Sequence, residues 1–395
     1  MTSVTRRSFI KASGVSALAV GMASALAACG NGGGSGDSST ISLGVLGPYS
    51  GNVAQYGLAV RNGVELYFDQ NPQINGKDVH LDEMDEKGDA TEAVNAYNKM
   101  VENGDVAILG DVTSTPSVAV AQASVNDNMP LVSASATVSN FIDYGKNAFR
   151  ACITDPYQGK LMADFAADQG YSNIGTIFNS GGDYEKGVND AFVEEAGNRG
   201  LTITTQQGYA DGDVDFNSQL TTIIATNPDA IFCPNYYQDD GKIVTQARQQ
   251  GYTGVFLGAD GWSNIVGGDE EYASMEDLEG CYYDCSFVTE NTDPKVQQFI
   301  TDYQNKFNDS PSNFCALGYD AAMVLAHAID TVEKDGQAQP GTPDYSQAII
   351  DAIASGQVDG VTGSISYAGT GDPVKPTLVI TFHNGAQEVF DTIEA

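Results

Sequence analysis

Short apolar runs alternate with amphipathic stretches along most of the chain, which is the rhythm of βαβ units. Residues 41–46 read as a strand, 57–71 as a helix, 79–84 as a second strand, 91–103 as a helix and 106–109 as a third strand. The next helix is expected to open at Thr115-Pro116, with Thr115 or Ser114 as its cap, and 129–133 begins the following unit. A second series follows: helix 159–169, strand 173–178, helix 185–199, strand 201–205, helix 216–226 and strand 230–232, with strand 254–257 closing the set. A helix over 321–333 is assigned to the first series. Two parallel-sheet series without a low-complexity spacer predict an α/β protein of two doubly wound lobes packed edge to edge. Such lobes carry a ligand crevice at the carboxyl ends of their strands.

The first forty residues follow a different pattern. Thr5-Arg6-Arg7-Ser8-Phe9-Ile10-Lys11 resembles a twin-arginine export signal, and Leu26-Ala27-Ala28-Cys29 resembles a lipobox. The apolar stretch between them, 12–28, is too short and too rich in Ala, Ser and Gly for a membrane span, which needs about 20 apolar residues. The expectation is a signal over 1–28, a mature chain beginning at a lipidated Cys29, and a Gly/Ser-rich tether over 29–39. The folded body is then extracytoplasmic and held to the outer face of the membrane.

Charge narrows the partners. Eighteen Lys and Arg stand against 52 Asp and Glu, a formal charge of -34. That surface repels nucleic acid and anionic headgroups, so neither is expected as a partner. Catalytic signatures are missing as well: His80, His327 and His383 lie on separate predicted elements, and no nucleophile elbow, Walker loop or dinucleotide fingerprint is present. No enzyme, metal or cofactor is expected. Asp239-Asp240 reads as the solvated start of a helix. Beyond Cys29 the chain holds Cys152, Cys233, Cys281, Cys285 and Cys315, an odd number that leaves at least one thiol free if pairing is internal.

Several motifs, in order and spacing along the mature chain, resemble leucine/isoleucine/valine-type solute-binding proteins, the extracytoplasmic receptors of ABC importers with the type I periplasmic-binding-protein fold. They are Gly47-Pro48-Tyr49-Ser50-Gly51 with Ala54-Gln55-Tyr56-Gly57, Asp155-Pro156-Tyr157-Gln158-Gly159, and Tyr319-Asp320-Ala321. The resemblance implies two lobes joined by three crossing hinge segments. The first takes 40–155 and 286–360, the second 156–285 and 361–395. It sets Cys152 and Cys285 near two of the crossings, where a disulfide would restrain the hinge. It also implies a monomer that hands a free amino acid to a permease.

The same resemblance supplies a ligand set. Ser114 matches a serine whose hydroxyl serves the ligand carboxylate, and Ser135 and Thr137 match positions that complete carboxylate and ammonium binding. Tyr184 and Tyr236 match tyrosines that close from the second lobe, Asp260 matches an acid facing the ammonium, and Tyr56, with Tyr49 and the region of Phe314, belongs to an apolar wall. Physical chemistry supports the set, because a zwitterion buried in a closing cleft needs both charges satisfied at once. Arginine is scarce in the mature chain (Arg61, Arg150, Arg199, Arg248), so hydroxyls and N–H groups at a helix N-terminus are the expected carboxylate partners. Branched-chain or other neutral amino acids are favoured. Asp260 is shorter than the glutamate common in the family, which leaves amides and aromatic acids as alternative ligands, and the same cleft would serve a ligand sensor.

Overall fold

The computed structural model describes residues 39–266 and 272–393. The signal, nearly all of the tether and the anchor Cys29 lie outside the described residues.

Two large sheets organise the chain. The first is built from β1 (Thr40–Gly47), β2 (Gln73–Ile74), β3 (Lys77–Asp85), β4 (Ile108–Leu109), β5 (Leu131–Ser133) and β6 (Ala148–Arg150), in the order β2-β3-β1-β4-β5-β6. Apart from the short antiparallel β2, every pairing is parallel. The second comprises β7 (Asn173–Asn179), β8 (Thr202–Tyr209), β9 (Ala230–Phe232), β10 (Val255–Leu257) and β11 (Tyr282–Cys285). It is completed beyond a small hairpin, β12 (Gln357–Gly360) with β13 (Gly363–Ser366), by β14 (Thr377–His383) and β15 (Ala386–Ile393). Its order is β15-β14-β11-β10-β9-β7-β8, and the β11–β14 and β14–β15 pairings are antiparallel. The second series thus does not close at β10 as the sequence pattern suggests.

Helices cover the sheets. Those of the first lobe are α1 (Ala54–Gln70), α2 (Ala90–Asn103) and α3 (Ser114–Ser124); the second lobe carries α4 (Asp155–Asp168), α5 (Asp183–Asn198), α6 (Asn217–Ile224), α7 (Tyr237–Gln249) and the short α8 (Met275–Leu278). The chain then returns to the first lobe for α9 (Pro294–Phe307), α10 (Asn313–Asp335) and α11 (Pro343–Ser355). Sequence logic is visible at their starts. Thr154, Asp293 and Thr342 cap α4, α9 and α11 with their side chains, each with a proline in the first turn. The cap of α3 differs from the expectation: Thr113 holds that position without a side-chain hydrogen bond, and Ser114 is already helical. Helix α10 begins at Asn313, several residues before the predicted start, and packs directly on α1.

The chain crosses between the lobes three times, over 151–154, 286–293 and 367–376. The last crossing comes later than residue 360 because buried Asp320 of α10 accepts from the Val361 and Thr362 N–H groups at 2.6 and 2.8 Å, holding that turn to the first lobe. Lys375 ties the third crossing to the first: its buried ammonium donates to the Ala151 carbonyl at 2.9 Å and to the Thr362 hydroxyl. Tyr367 Oη adds a bond to the Arg150 carbonyl at 3.1 Å.

The hinge disulfide is not formed. Cys152, Cys233, Cys281, Cys285 and Cys315 are all free and buried, and Cys285 Sγ instead donates to the Phe287 carbonyl at 3.4 Å. Nor is the start of α7 wholly solvated. Asp240 is fully buried, accepting from Cys233 Sγ at 2.9 Å and Asn235 Nδ2 at 3.0 Å, because it faces the sheet rather than water.

Candidate functional site

The carboxyl ends of both sheets point at one place, where doubly wound sheets bind ligands. From the first sheet, β1 leads to Tyr56 on α1, β4 to Ser114 on α3, and β5 to Ser135 and Thr137. From the second, β7 leads to Tyr184 on α5, β9 to Tyr236 at the cap of α7, and β10 to Asp260 on a one-turn 3₁₀ helix, Asp260–Trp262. All of these residues line a single cavity, together with Val112, Thr113, Gly261 and Phe314. The space left between them is only ≈ 10 Å³, about the room one water needs. An organic ligand enters only if the lobes part or the aromatic side chains move.

Its first-lobe wall is polar. Ser114 is 2% exposed and opens α3, so the helix's free N–H groups and positive end face the cavity. Ser135 is more committed than its sequence position suggests: its hydroxyl donates to the Val112 carbonyl at 2.8 Å and its N–H to Ser133 Oγ at 3.3 Å. Thr137 is buried beside Asp155, whose backbone N–H donates to the Thr137 carbonyl at 2.9 Å.

Aromatic rings form the rest. Tyr184 and Tyr236 stack with centroids 5.1 Å apart and planes 5° from parallel, and Tyr56 stacks on Phe314 at 4.1 Å and 19°. Their hydroxyls knit the lobes together. Tyr56 Oη accepts from the Tyr237 N–H at 3.1 Å and donates to the Gly261 carbonyl, while the Tyr236 hydroxyl reaches the Ser114 N–H. Tyr184 Oη accepts from the Gly261 N–H at 2.9 Å. At the rim, Thr115 Oγ1 donates to Asp183 Oδ2 at 3.0 Å and Tyr237 Oη to the Asn52 carbonyl at 3.0 Å.

Asp260 is the acid of the cavity. It is 4% exposed, and burial pushes its carboxyl up to about 6 against the opposing effect of Tyr184 and Gln158. More carboxyls lie behind it. Asp155 and Asp284 are raised well above their ordinary value by burial, with Asp260 adding to each, and burial lifts Glu185 to about 8. Among the described residues, no Lys or Arg lines the cavity. The electrostatic arrangement is a cation acceptor on one wall and a helix N-terminus on the other.

One contributor was passed over as a site residue in the sequence. Gln158 accepts the Asp260 N–H on Oε1 at 2.9 Å and so orients that turn; the Asp155-Pro-Tyr-Gln-Gly motif was the available signal. Phe314, whose region was expected in the apolar wall, is the second residue of α10 and lines the cavity.

Comparisons with known proteins agree with this architecture. The chain is 26% identical over 339 residues to the Leu/Ile/Val-binding protein BraC3 of Rhizobium johnstonii, covering 84% of this chain and 88% of that one. The leucine binding protein LivK of Thermotoga maritima superposes with a TM-score of 0.82 at 28% identity, covering 90% of this chain and 99% of LivK. LivJ of Streptococcus pneumoniae, solved in complex with isoleucine, gives 0.81 at 27%, covering 90% of this chain and all of LivJ (100%). The family model described as periplasmic binding protein matches residues 40–386, and the chain therefore belongs to the periplasmic binding protein family, with its type I fold.

Proposed function

We propose that this protein is the extracytoplasmic substrate-binding component of an ABC importer, taking a free neutral amino acid, branched-chain in the first instance, and delivering it to a permease. The observation that carries the reading is the opposition of charges in one buried cavity: the N-terminus of α3 at Ser114 on one lobe, and the Asp260 carboxylate on the other. An α-amino acid carries its carboxylate and ammonium a few ångströms apart, and each then meets its complement. Apolar contact from Tyr56 and Phe314 suits an aliphatic side chain. The absence of Lys and Arg from the lining weighs against an acid that lacks an ammonium, because its charge would face Asp260 uncompensated.

The mechanism is hinge closure. Ser114, Ser135 and Thr137 meet the ligand in the open form; Tyr184, Tyr236 and Asp260 join on closure, so the ligand stabilises the closed form by its extra contacts there. A mature chain lipidated at Cys29 would hold the receptor near its permease. No described helix is long and apolar enough to cross a membrane.

The test is calorimetric titration of the protein, unfolded and refolded to strip carried-over ligand, with each of the twenty amino acids. Micromolar or tighter binding of leucine, isoleucine or valine is expected. Silence across the panel would reject an amino acid and turn the search to amides and aromatic acids.

A further inference from the structure

Arg150 ends β6 and is fully buried, standing behind the cavity wall that carries Ser135 and Thr137 rather than in it. Its Nη1 donates to the Ala136 carbonyl at 2.6 Å and to the Val138 carbonyl at 2.9 Å, one on each side of Thr137. The carbonyl between them, that of Thr137, accepts the Asp155 N–H at 2.9 Å from the start of α4. Just before this segment, Ser133 Oγ accepts the Ser135 and Ala136 N–H groups at 3.3 and 2.9 Å. The carbonyls of 136, 137 and 138 are thus all bonded, and one guanidinium serves both outer ones. Hydrogen bonds from a charged donor are the stronger kind, and a planar guanidinium holds its partners in a fixed relative geometry.

The same residue faces the third crossing. Arg150 Nε lies 2.8 Å from Asp372 Oδ1, in an ion pair whose cation is buried and whose anion is half-exposed. The main chain follows: the Arg150 N–H donates to the Gly371 carbonyl at 3.1 Å, and the Arg150 carbonyl accepts from Tyr367 Oη. A Cβ on Gly371 would lie 2.5 Å from the Ala148 carbonyl oxygen, so the crossing rests directly on β6. The guanidinium also lies over the Phe141 ring at 5.3 Å, in the 3₁₀ turn Ser139–Ile142 that follows Val138. A buried cation is costly unless it is paired and hydrogen-bonded. Arg150 meets that condition with the Thr137 segment on one side and the crossing on the other, so its own burial holds the two together.

We propose that Arg150 is a positioning residue of the ligand site: it fixes the 136–138 segment that presents Thr137 and, through Asp372, ties that segment to the third crossing. This rests on the reading of the inter-lobe cavity as the ligand site. The test compares Arg150→Met, Arg150→Lys and Asp372→Asn with the parent in the full-length protein in detergent, by hydrogen exchange of the ligand-free segment 133–138 and by calorimetric titration with leucine. Glu333→Gln is the control for lost stability alone: it weakens a buried ion pair, 2.6 Å from Lys77, in the last turn of α10 and far from Phe314. Arg150→Met should speed exchange at the Ser135 and Ala136 amides and weaken leucine binding, each roughly tenfold or more. Arg150→Lys should recover part of both, because its ammonium can still donate to the carbonyls, and Asp372→Asn should shift both in the same direction by less. Glu333→Gln should lower the urea midpoint and leave both unchanged. Should Arg150→Met fail to fold, Arg150→Lys and Asp372→Asn carry the comparison against the parent. The proposal is overturned if segment 133–138 exchanges as in the parent in every folded Arg150 and Asp372 variant, if their affinity losses are no greater than that of Glu333→Gln, or if lysine does no better than a folded methionine variant. A parent that does not bind leucine would remove the amino-acid reading, and the exchange comparison would then decide the part played by Arg150.

Discussion

The Tyr56 hydroxyl, on the first lobe, donates to the carbonyl of Gly261 on the second. It also accepts from the Tyr237 N–H, so one phenol joins α1 to both the Asp260 turn and the start of α7. Gly261 is suited to this contact because a Cβ there would lie 2.2 Å from the Asn235 carbonyl. Tyr56→Phe keeps the stack on Phe314 and leaves the Gly261 carbonyl and Tyr237 N–H unpaired in the closed form only. A lost buried hydrogen bond costs about 1 to 3 kcal/mol, so the variant should bind its ligand roughly 5- to 150-fold more weakly. Small-angle scattering should show a larger radius of gyration for the ligand-free variant; an unchanged radius and affinity would mean that closure does not depend on this contact.

Asp260 makes a pH-dependent prediction. Its carboxyl sits at about 6 in the free cavity, raised by burial, and only the carboxylate pairs with an ammonium. Affinity should therefore be level above about pH 7 and fall, approaching tenfold per unit, as the pH drops below about 6. Asp260→Asn should weaken binding by about 2 to 5 kcal/mol at neutral pH and flatten that profile. Calorimetry between pH 5 and pH 8 decides it; a wild-type profile without the acid limb would take Asp260 away from the ammonium.

The candidate residues came from the family resemblance, and the structure gathers them around one cavity because each follows the carboxyl end of a strand within a few residues. Ser114 comes five residues after β4 and Asp260 three after β10, so strands predicted from the apolar pattern put both near the crevice. Long-range assembly was not legible in the same way. Nothing local to Thr377–His383 says that it pairs antiparallel with β11, since that register is set by a partner almost a hundred residues earlier. The burial of Asp240 escaped for a related reason. Two adjacent acids at a helix start look solvated, and only the Asn235 and Cys233 partners supplied by the β9 turn make burial of one tolerable.

Helices α1 and α10 touch through backbone. A Cβ on Gly63 would lie 2.0 Å from the Cys315 carbonyl oxygen, and one on Gly318 would lie 2.3 Å from that of Val60. Overpacking of this kind costs about 1 to 3 kcal/mol. Gly63→Ala should lower the midpoint of urea denaturation accordingly while also shifting Tyr56, two turns earlier on α1, and so weaken binding modestly. An unaltered midpoint would show that the helices can separate without loss.

Burial of acids also predicts how stability responds to pH. Glu185 has an ordinary value of 4.5 and is raised to about 8 in the folded protein by burial. Between those values the folded state holds a proton that the unfolded state has released, so stability is greatest at the acid end and declines as pH rises toward 8. Asp155, Asp240 and Asp284 are raised by the same cause and act with the same sign. Lys375 acts oppositely and only at higher pH: burial lowers its ammonium from 10.5 to about 8, so above 8 it is the unfolded state that keeps the extra proton, and stability recovers from this group as pH rises. Each group contributes up to about 1.4 kcal/mol per pH unit within its window. Urea denaturation should therefore show a protein more stable at pH 5.5 than at pH 7.5, and Glu185→Gln, which removes one titrating group without changing shape, should reduce the difference by about 1 to 3 kcal/mol. If the variant and the parent lose the same stability over that interval, Glu185 is ionised in the folded protein throughout, and the burial of its carboxyl is compensated by water rather than by a proton.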